Sequence, residues 1–273
     1  MRAAKRAVKT VGPHLILILF SASLLLPLLW VLRTSLTNKL NAYMIPPQWT
    51  EPMVDNYVDI FVEHPFGDFF LNSLIVAVGS TAIALPLATM LAYAFCRFNT
   101  GGMGLRITVL ASQMLPPVIL VLPLFSVFLT VGLINNHLGI ILAHVTINLP
   151  FLGWMLVSFF EGDARQVEEA ARVEGATRLQ AFLLVAVPMA APGIVAAGLL
   201  GLILSWNEFL YALVLSGKAT ATLPIGLSAL ETHRGVEIAL LAAATIFSIT
   251  PVFVLLPFLK KYLIKGLALG AVK

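Results

Sequence analysis

Residues 72–95 read NSLIVAVGSTAIALPLATMLAYAF, a run that contains no Asp, Glu, Lys or Arg. A helix needs about 20 predominantly apolar residues to cross the hydrocarbon core of a bilayer, so this run is long enough to span one. It shows no strand-period alternation, and it is longer than the roughly 9–11 residues of a transmembrane barrel strand. The run therefore predicts a membrane-spanning helix.

Five further apolar runs are of the same kind. The predicted spans are residues 13–32, 72–95, 107–131, 138–160, 188–215 and 238–259. Of the 273 residues, 59% are hydrophobic and only 11% are charged, whereas an ordinary soluble domain carries about 25% charged residues. This composition excludes soluble enzymes, nucleic-acid-binding domains and disordered chains. We predict an all-α membrane protein with six transmembrane helices.

Lys and Arg residues are unevenly distributed over the segments outside these spans. Most of the 17 lie in the N-terminal segment 1–12, in the second and fourth connections and in the C-terminal tail. Positive residues favour the cytoplasmic side, so both termini are predicted to be cytoplasmic. The first span follows basic residues as a secretory signal would, but its apolar part exceeds the roughly 7–15 residues of a signal core, so we predict a retained helix.

The fourth connection, residues 161–180, predicts a short helix, a tight turn and a second helix that leads into the fifth span. Asp163 stands three residues before a Gln, which is the spacing of a capping box. Gly175 is suited to end the first helix in a left-handed conformation. Thr177 repeats the start signal for the second helix, with a Gln three residues later.

The first of these helices is two-faced. One stripe has the i, i+3, i+4, i+7 spacing of a helix face, and it consists of Val167, Ala170, Ala171 and Glu174. Small alanine side chains allow close approach to another surface, so the helix is suited to dock into a groove of a soluble partner. The alternative interpretation is an interfacial helix that only joins two spans.

This segment resembles the signature of the inner-membrane permease subunits of binding-protein-dependent ABC importers. The signature is E-A-A, three residues, G, nine residues, then I-x-L-P. Here Glu169-Ala170-Ala171 is followed by three residues and Gly175, and Val185-Ala186-Val187-Pro188 follows nine residues later. The two valines stand where Ile and Leu are usual, and Glu174 stands where Asp often precedes the glycine.

Other stretches resemble maltose-type sugar permeases. These are the tail Tyr262–Lys273, Trp206-Asn207-Glu208-Phe209 in the fifth span, and the dipeptides Asn56-Tyr57 and Asn72-Ser73 before the second span. The similarity covers nearly the whole chain. It implies the type I ABC importer permease fold, with the short helix acting as a coupling helix, in the cytoplasmic membrane of a bacterium or archaeon.

The resemblance also implies partners and contact residues. The expected assembly contains a second, different permease, two ATP-binding subunits and an extracytoplasmic solute-binding protein. The residues that it implies for contact with the ATPase are Glu168, Glu169, Ala170, Ala171, Glu174 and Gly175, and in the tail Gly270, Ala271, Val272 and Lys273. The solute would be a sugar or a sugar-like compound, moved by alternating access.

The sequence contains no G-x-x-x-x-G-K-[ST] loop, so ATP and Mg are expected in a partner subunit and not on this chain. The five histidines form no close ligand spacing, and a single Cys96 excludes an internal disulfide, so no metal or cofactor is expected. An intramembrane serine hydrolase that pairs His144 with Ser205 or Ser248 has no supporting motif.

Polar side chains inside spans are costly and usually face a bundle interior or a wet cavity. The candidates for a substrate path are Gln113, His144, Asn148, Asn207 and Glu208. The alternative interpretation is that these groups bond to neighbouring helices and touch no solute. Two other functions also remain open, namely an ABC permease for an amino acid, peptide or polyol phosphate, and a self-sufficient channel or carrier.

Overall fold

The computed structural model describes residues 2–48, 50–161, 164–232 and 235–270. Its α-helices are α1 (Arg2–Ser35), α2 (Asp55–Val62), α3 (Phe66–Phe98), α4 (Gly102–Ser112), α5 (Pro117–Thr130), α6 (His137–Phe160), α7 (Ala164–Val173), α8 (Arg178–Ala181), α9 (Val187–Trp206), α10 (Leu210–Leu215), α11 (Leu223–Ala229) and α12 (Ile238–Gly270). A 3₁₀ turn covers Asn41–Tyr43, and a π-helical turn covers Phe182–Ala186.

Five helical segments in the described ranges are long and apolar enough to cross a membrane. They are Gly12–Ser35, Phe66–Phe98, His137–Phe160, Arg178–Trp206 and Ile238–Tyr262. The pair α4 and α5 supplies the sixth if the two are counted as one broken span. The predicted all-α, six-span membrane architecture is therefore confirmed.

The third span differs from the prediction of one helix over 107–131. Its two halves, α4 and α5, are bent by 90° at the break between them. Pro116 has the extended backbone angles φ −59° and ψ 130°, and Pro117 begins α5. A residue before proline is disfavoured in the helical region, and neither proline has an N–H to continue the ladder. Hydropathy alone gave no sign of this bend.

The fifth span also begins and ends at different residues from the predicted 188–215. It runs over Arg178–Trp206, and α10 follows as a separate short helix. The π-helical turn lies just before Pro188, where the Val187 N–H bonds the carbonyl of Phe182. Because a proline ring collides with the carbonyl four residues earlier, a locally wider turn accommodates it.

One small element was not expected from the sequence. Strands β1 (Glu231–Thr232) and β2 (Gly235–Val236) pair antiparallel, with Glu231 opposite Val236. The pair is too short to change the fold class, and it connects α11 to α12.

The chain forms two compact units. Unit I comprises Met1–Phe66 and Leu227–Thr250, and unit II comprises Gly67–Gly226 and Pro251–Lys273. The predicted ATPase-contacting helix and all the predicted substrate-path residues belong to unit II.

In unit I, the dipeptide Asn56-Tyr57 holds the segment that follows α1. The Asn56 amide donates to the carbonyls of Ser35 (2.8 Å) and Thr37 (2.9 Å). The Tyr57 hydroxyl lies 2.7 Å from that of Ser35. These bonds satisfy carbonyls at the end of α1, which otherwise have no partner within the helix.

Unit I also contains an exposed charge cluster around Lys39. Its ammonium lies 3.1 Å from Asp59, 3.6 Å from Glu63 and 3.9 Å from Glu237. The hydrogen bond to Asp59 raises the pKa of Lys39. Surface pairs of this kind contribute little individually, at most about 1 kcal/mol each.

The core of unit II lies where α3, α6 and α9 pack together. Small residues bring the helices close, since Ala84, Ala88 and Ala92 of α3 and Ala190 and Ala197 of α9 are all buried. The bulkier residues of this core come from α6 and from the ends of the helices, and they are Tyr93, Leu152, Leu156, Phe160 and Phe182. Small residues at helix contacts are typical of membrane bundles.

The dipeptide Asn72-Ser73 joins the start of α3 to the loop after α10. The Asn72 amide donates to the carbonyls of Ala219 (3.1 Å) and Ala221 (2.9 Å), and its oxygen lies 2.7 Å from Nε2 of His137. The Ser73 hydroxyl accepts the N–H of Leu223 at 2.8 Å. Both dipeptides singled out in the sequence are therefore loop-fixing residues.

A close approach at the start of α6 makes Gly139 sensitive to substitution. A Cβ at Gly139 would overlap the backbone carbonyl of Leu133, whereas a Cβ at Gly104 in α4 would meet nothing within 4 Å. We expect Gly139→Ala to lower the free energy of unfolding by about 1–3 kcal/mol, as overpacking does. Gly104→Ala is the control and should not lower it, because alanine favours helices. Thermal unfolding in detergent measures both, and equal shifts would contradict the packing.

Candidate functional site

Helix α7 is the predicted partner-docking helix, and it ends in a Schellman motif. Gly175 has φ +101°, its N–H donates to the Arg172 carbonyl at 3.2 Å, and the Ala176 N–H donates to the Ala171 carbonyl at 3.0 Å. A Cβ at Gly175 would meet nothing within 4 Å, so the glycine is needed for its backbone conformation and not for space. The prediction of a left-handed end at Gly175 is confirmed.

The second helix start is also confirmed, because Thr177 and Gln180 form a complete capping box. The Thr177 N–H donates to Oε1 of Gln180 at 2.8 Å, and the Gln180 N–H donates to Oγ1 of Thr177 at 3.3 Å. Two backbone donors that α8 leaves unpaired are thereby satisfied. The capping box predicted at Asp163 lies outside the described residues.

The outer face of α7 is open. Val167, Ala170 and Glu174 of the predicted stripe are exposed, and Ala171 is half-buried. Val173, next to this stripe, is 89% exposed. Glu169 is also exposed and pairs with Arg165 one turn earlier, at 2.9 Å. An amphipathic helix that leaves valine and alanine uncovered has the composition of a docking surface.

The inner face of α7 carries one buried carboxylate, Glu168, which is only 5% exposed. Its Oε1 accepts the hydroxyl of Tyr93, and its Oε2 accepts Nε of Arg97 at 2.6 Å. Arg97 also donates from Nη1 to the carbonyl of Phe160 at 2.8 Å. We call Tyr93, Arg97 and Glu168 the polar junction. Among the described residues of the predicted contact set, Glu168 points into the protein.

Aromatic rings surround the polar junction. The Tyr93 ring centroid lies 5.9 Å from those of Phe98 and Phe160 and 4.6 Å from that of Phe182. The guanidinium of Arg178, in α8, lies 5.5 Å from the Phe98 ring centroid. These rings exclude water from the charged groups, which strengthens the attraction between them and makes an unpaired charge there costly.

The predicted tail contact is only partly described. Gly270 is the last residue of α12, and Ala271, Val272 and Lys273 lie outside the described residues.

Three of the predicted substrate-path residues are occupied by bonds to the backbone. Gln113 donates to the carbonyl of Ile147 at 3.2 Å, and Asn207 donates to that of Ile203 at 2.8 Å. The Glu208 carboxylate accepts backbone N–H groups at the start of α10, from Leu210 (2.9 Å), Tyr211 (3.0 and 3.1 Å) and Ala212 (3.3 Å). Glu208 thus caps a helix.

The other two predicted residues, His144 and Asn148, lie in a buried group that we call the inner polar cluster, together with Ser80 and Ser205. His144 Nδ1 lies 2.6 Å from the Ser205 hydroxyl, which accepts that of Ser80 at 3.0 Å. The Asn148 amide lies 3.5 Å from the Ser80 hydroxyl and 3.4 Å from the Gly201 carbonyl. The cluster ties α3, α6 and α9 together.

Glu208 also approaches this cluster. His144 Nε2 lies 3.3 Å from its Oε2, within ion-pair distance, although this nitrogen makes no hydrogen bond there. The contacts from Ser205 to His144 and from His144 to Glu208 resemble the order of nucleophile, base and acid in a serine hydrolase. However, His144 is 1% exposed and Ser205 is 6% exposed, so no substrate reaches the hydroxyl. The arrangement stabilises the helix contacts, as polar groups in membrane bundles do.

Ser205 was considered with His144 only as a hydrolase pair, and Ser80 was not expected at all, because an isolated serine in an apolar run carries no spacing signal. Trp206 and Tyr211, the aromatic residues beside Glu208, are buried and offer no ring face to a solute. Among the described residues, no group of three or more His, Cys, Asp or Glu side chains is placed to hold a metal ion.

Comparison with known proteins adds an independent observation. Residues 84–268 match the family described as "Binding-protein-dependent transport system inner membrane component". The chain is 34% identical to the sulfoquinovosyl glycerol transport system permease protein SmoH of Agrobacterium fabrum, over 91% of this chain and 89% of that protein. It is 36% identical to the trehalose transport system permease protein SugB of Mycobacterium tuberculosis, over 91% and 92%.

A solved structure shows the same fold. It is a chain of a bacterial ABC transporter involved in the import of alginate, which superposes with a TM-score of 0.70 at 21% identity and covers 96% of this chain and 98% of that one.

The inner polar cluster predicts a stability effect at Ser205. Ser205→Ala leaves Nδ1 of His144 without its partner, while the Ser80 hydroxyl keeps its bond to the carbonyl of Ala77. We expect a loss of about 1–3 kcal/mol in the free energy of unfolding. Ser126→Ala is the control, because that hydroxyl is exposed and bonds only the carbonyl of Leu122. Unfolding of both variants in detergent tests this, and equal stability would show that the cluster contributes nothing.

Proposed function

We propose a function from the premise that this chain belongs to the family of binding-protein-dependent transport system inner membrane components, whose family model matches residues 84–268. The chain is thus a multi-pass inner-membrane permease subunit, a transport component and not an enzyme. In the proposal it forms, with a second and different permease, the path through which an ATP-driven importer moves a sugar or a sugar-like solute.

The solute class is supported by the names of several relatives. SmoH is named for sulfoquinovosyl glycerol and SugB for trehalose. The permease protein NgcG of Streptomyces coelicolor, 33% identical over 88% of this chain, is named for diacetylchitobiose uptake. Each of these solutes contains a sugar joined by a glycosidic bond. We therefore propose that the solute of this chain is a glycoside of similar size.

The proposed assembly has two ATP-binding subunits, which hold ATP and Mg, and an external solute-binding protein. A solved complex of the alginate transporter contains a periplasmic protein with bound alginate pentasaccharide, which supports a partner of this kind. Binding of ATP closes the ATPase pair, α7 moves with it, and the permease pair opens toward the binding protein. Each ligand shifts the equilibrium because it binds one state more tightly than the other.

The observation that carries this mechanism is the uncovered outer face of α7. Val167, Ala170, Glu169 and Glu174 are exposed on a helix with a fixed end at Gly175. We propose that this face docks into a groove of the ATPase, and that the tail from Gly270 onward touches the same pair. The docking face and both termini then lie in the cytoplasm, as the distribution of Lys and Arg predicts.

Glu169→Lys and Gly175→Leu test the docking. Reversal of a charge at the centre of an interface costs about 2 kcal/mol or more, so less ATPase should co-purify with the Glu169 variant. Gly175→Leu forces an L-residue into a left-handed conformation and should misdirect the end of α7. ATP-dependent uptake by the reconstituted complex should fall with both.

Gly132→Leu is the matched control. Gly132 also has a positive φ, +72°, and a Cβ there would meet nothing within 4 Å. It carries the same backbone cost but lies outside α7, so co-purification of the ATPase should match the unaltered complex. Wild-type retention of the ATPase and normal uptake in the Glu169 and Gly175 variants would refute the docking role.

Uptake into proteoliposomes that contain the whole complex and its binding protein tests the solute class. We expect labelled disaccharide to accumulate only when ATP is present inside, and unlabelled disaccharides to compete while a dipeptide, an amino acid and glycerol phosphate do not. Competition by the dipeptide, amino acid or phosphate would favour an ABC permease for another solute. Accumulation by the purified chain without ATP would favour a self-sufficient carrier.

A further inference from the structure

Two neighbouring carboxylates on α7 have opposite surroundings. Glu169 has 62% of its side chain exposed, and its ion pair with a described residue lies within its own helix, to Arg165. Glu168 has only 7% of its side chain exposed. Its partners Tyr93 and Arg97 lie near the end of α3, more than seventy residues earlier in the chain. The first carboxylate is available to a partner subunit, and the second is committed to the transmembrane helices.

The polar junction reaches two transmembrane helices at once. Arg97 belongs to the last turn of α3, and its second bond goes to the carbonyl of Phe160, the last residue of α6. A single guanidinium therefore connects α7 to the ends of α3 and α6. Because hydrogen bonds to charged groups are short and directional, this connection transmits a pull and a rotation as well as a push. Apolar contacts are non-directional and transmit mainly compression.

Arg97 also has an unused donor. Its Nη2 is buried without a hydrogen-bond partner. The Nε and Nη2 groups form the side of a guanidinium that binds a carboxylate with two parallel bonds. Glu168 is shared between Nε and the Tyr93 hydroxyl. Nη2 is therefore a donor that remains free for a second bond to a carboxylate.

We propose that Glu168 is a positioning residue for transport, which transmits movement of the docked helix α7 to α3 and α6 through Arg97 and Tyr93. This inference rests on the proposed docking of the outer face of α7, and it adds a separate step behind that face. Loss of the junction should leave the ATPase bound and interrupt the link between hydrolysis and transport.

The test replaces all three polar groups with apolar ones of similar size, in the variant Tyr93→Phe/Arg97→Met/Glu168→Met. Replacement of a whole buried ion pair by apolar residues is often neutral for stability, unlike removal of one partner. In the reconstituted complex we expect the ATPase to co-purify at the wild-type level. The amount of solute moved per ATP hydrolysed should fall about fivefold or more, the lower limit of a typical coupling between sites. An unchanged ratio overturns the proposal.

A second variant decides the question if the triple variant does not assemble. Glu168→Gln keeps the shape of the side chain and one acceptor oxygen but removes the charge that binds Arg97. It should reduce the same ratio, and a wild-type ratio in an assembled complex again overturns the proposal. Arg97→Lys keeps the positive charge, but it should also lower the amount of solute moved per ATP hydrolysed, because a lysine lacks the planar fork that connects Glu168 and Phe160.

The Glu169→Lys variant separates failure of this inference from failure of the proposed docking. If docking is correct and the junction has only a structural role, Glu169→Lys loses the ATPase while the triple variant transports with the normal ratio. If docking itself is wrong, Glu169→Lys retains the ATPase and full uptake. The ratio of transport to hydrolysis is a readout that stability alone does not change, since it is measured on assembled complexes.

Discussion

The pairing of Glu168 with Arg97 is the interaction that joins the inner face of α7 to the ends of α3 and α6. Removing a carboxylate or a guanidinium from water costs several kcal/mol per ion, so neither group stays buried unless the other is in place. Glu168 therefore holds a predominantly polar helix against an apolar bundle in one defined orientation. The outer face of α7 is defined as a consequence, because a helix with one fixed side presents the opposite side to its surroundings.

In the membrane-embedded part of unit II, buried polar groups also need partners, but here the groups are mainly neutral. Alanines along α3 and α9 let the helices approach closely, and this leaves room for small hydroxyls such as Ser80 and Ser205 between them. His144 and Asn148 provide hydrogen-bond partners for these hydroxyls, His144 for Ser205 and Asn148 for Ser80. Most of the polar side chains in these helices are thus used by the chain itself.

The apolar runs predicted the number of spans and the fold class, because the bilayer imposes a length that composition reveals directly. The helix end at Gly175 and the capping box at Thr177 were also predictable, since their signals are local. The 90° break at Pro116 was not predicted from the hydropathy of the run, which measures only how apolar the residues are, although the Pro116-Pro117 dipeptide is a local signal for a break. The inward position of Glu168 was hidden for another reason. Helical periodicity shows which residues share a face but not which face is covered, and its partner Arg97 is distant in sequence.

Gly175 lies at a position where handedness matters and volume does not. Its φ of +101° is unfavourable for an L-amino acid, yet the surrounding space is empty. A positive φ is the region that D-residues prefer, whereas L-alanine would be strained there by about 1–2 kcal/mol. Glycine is the achiral residue, and the ribosome supplies no D-residue. Within this chain, the end of α7 therefore favours glycine for a stereochemical reason and not for lack of space.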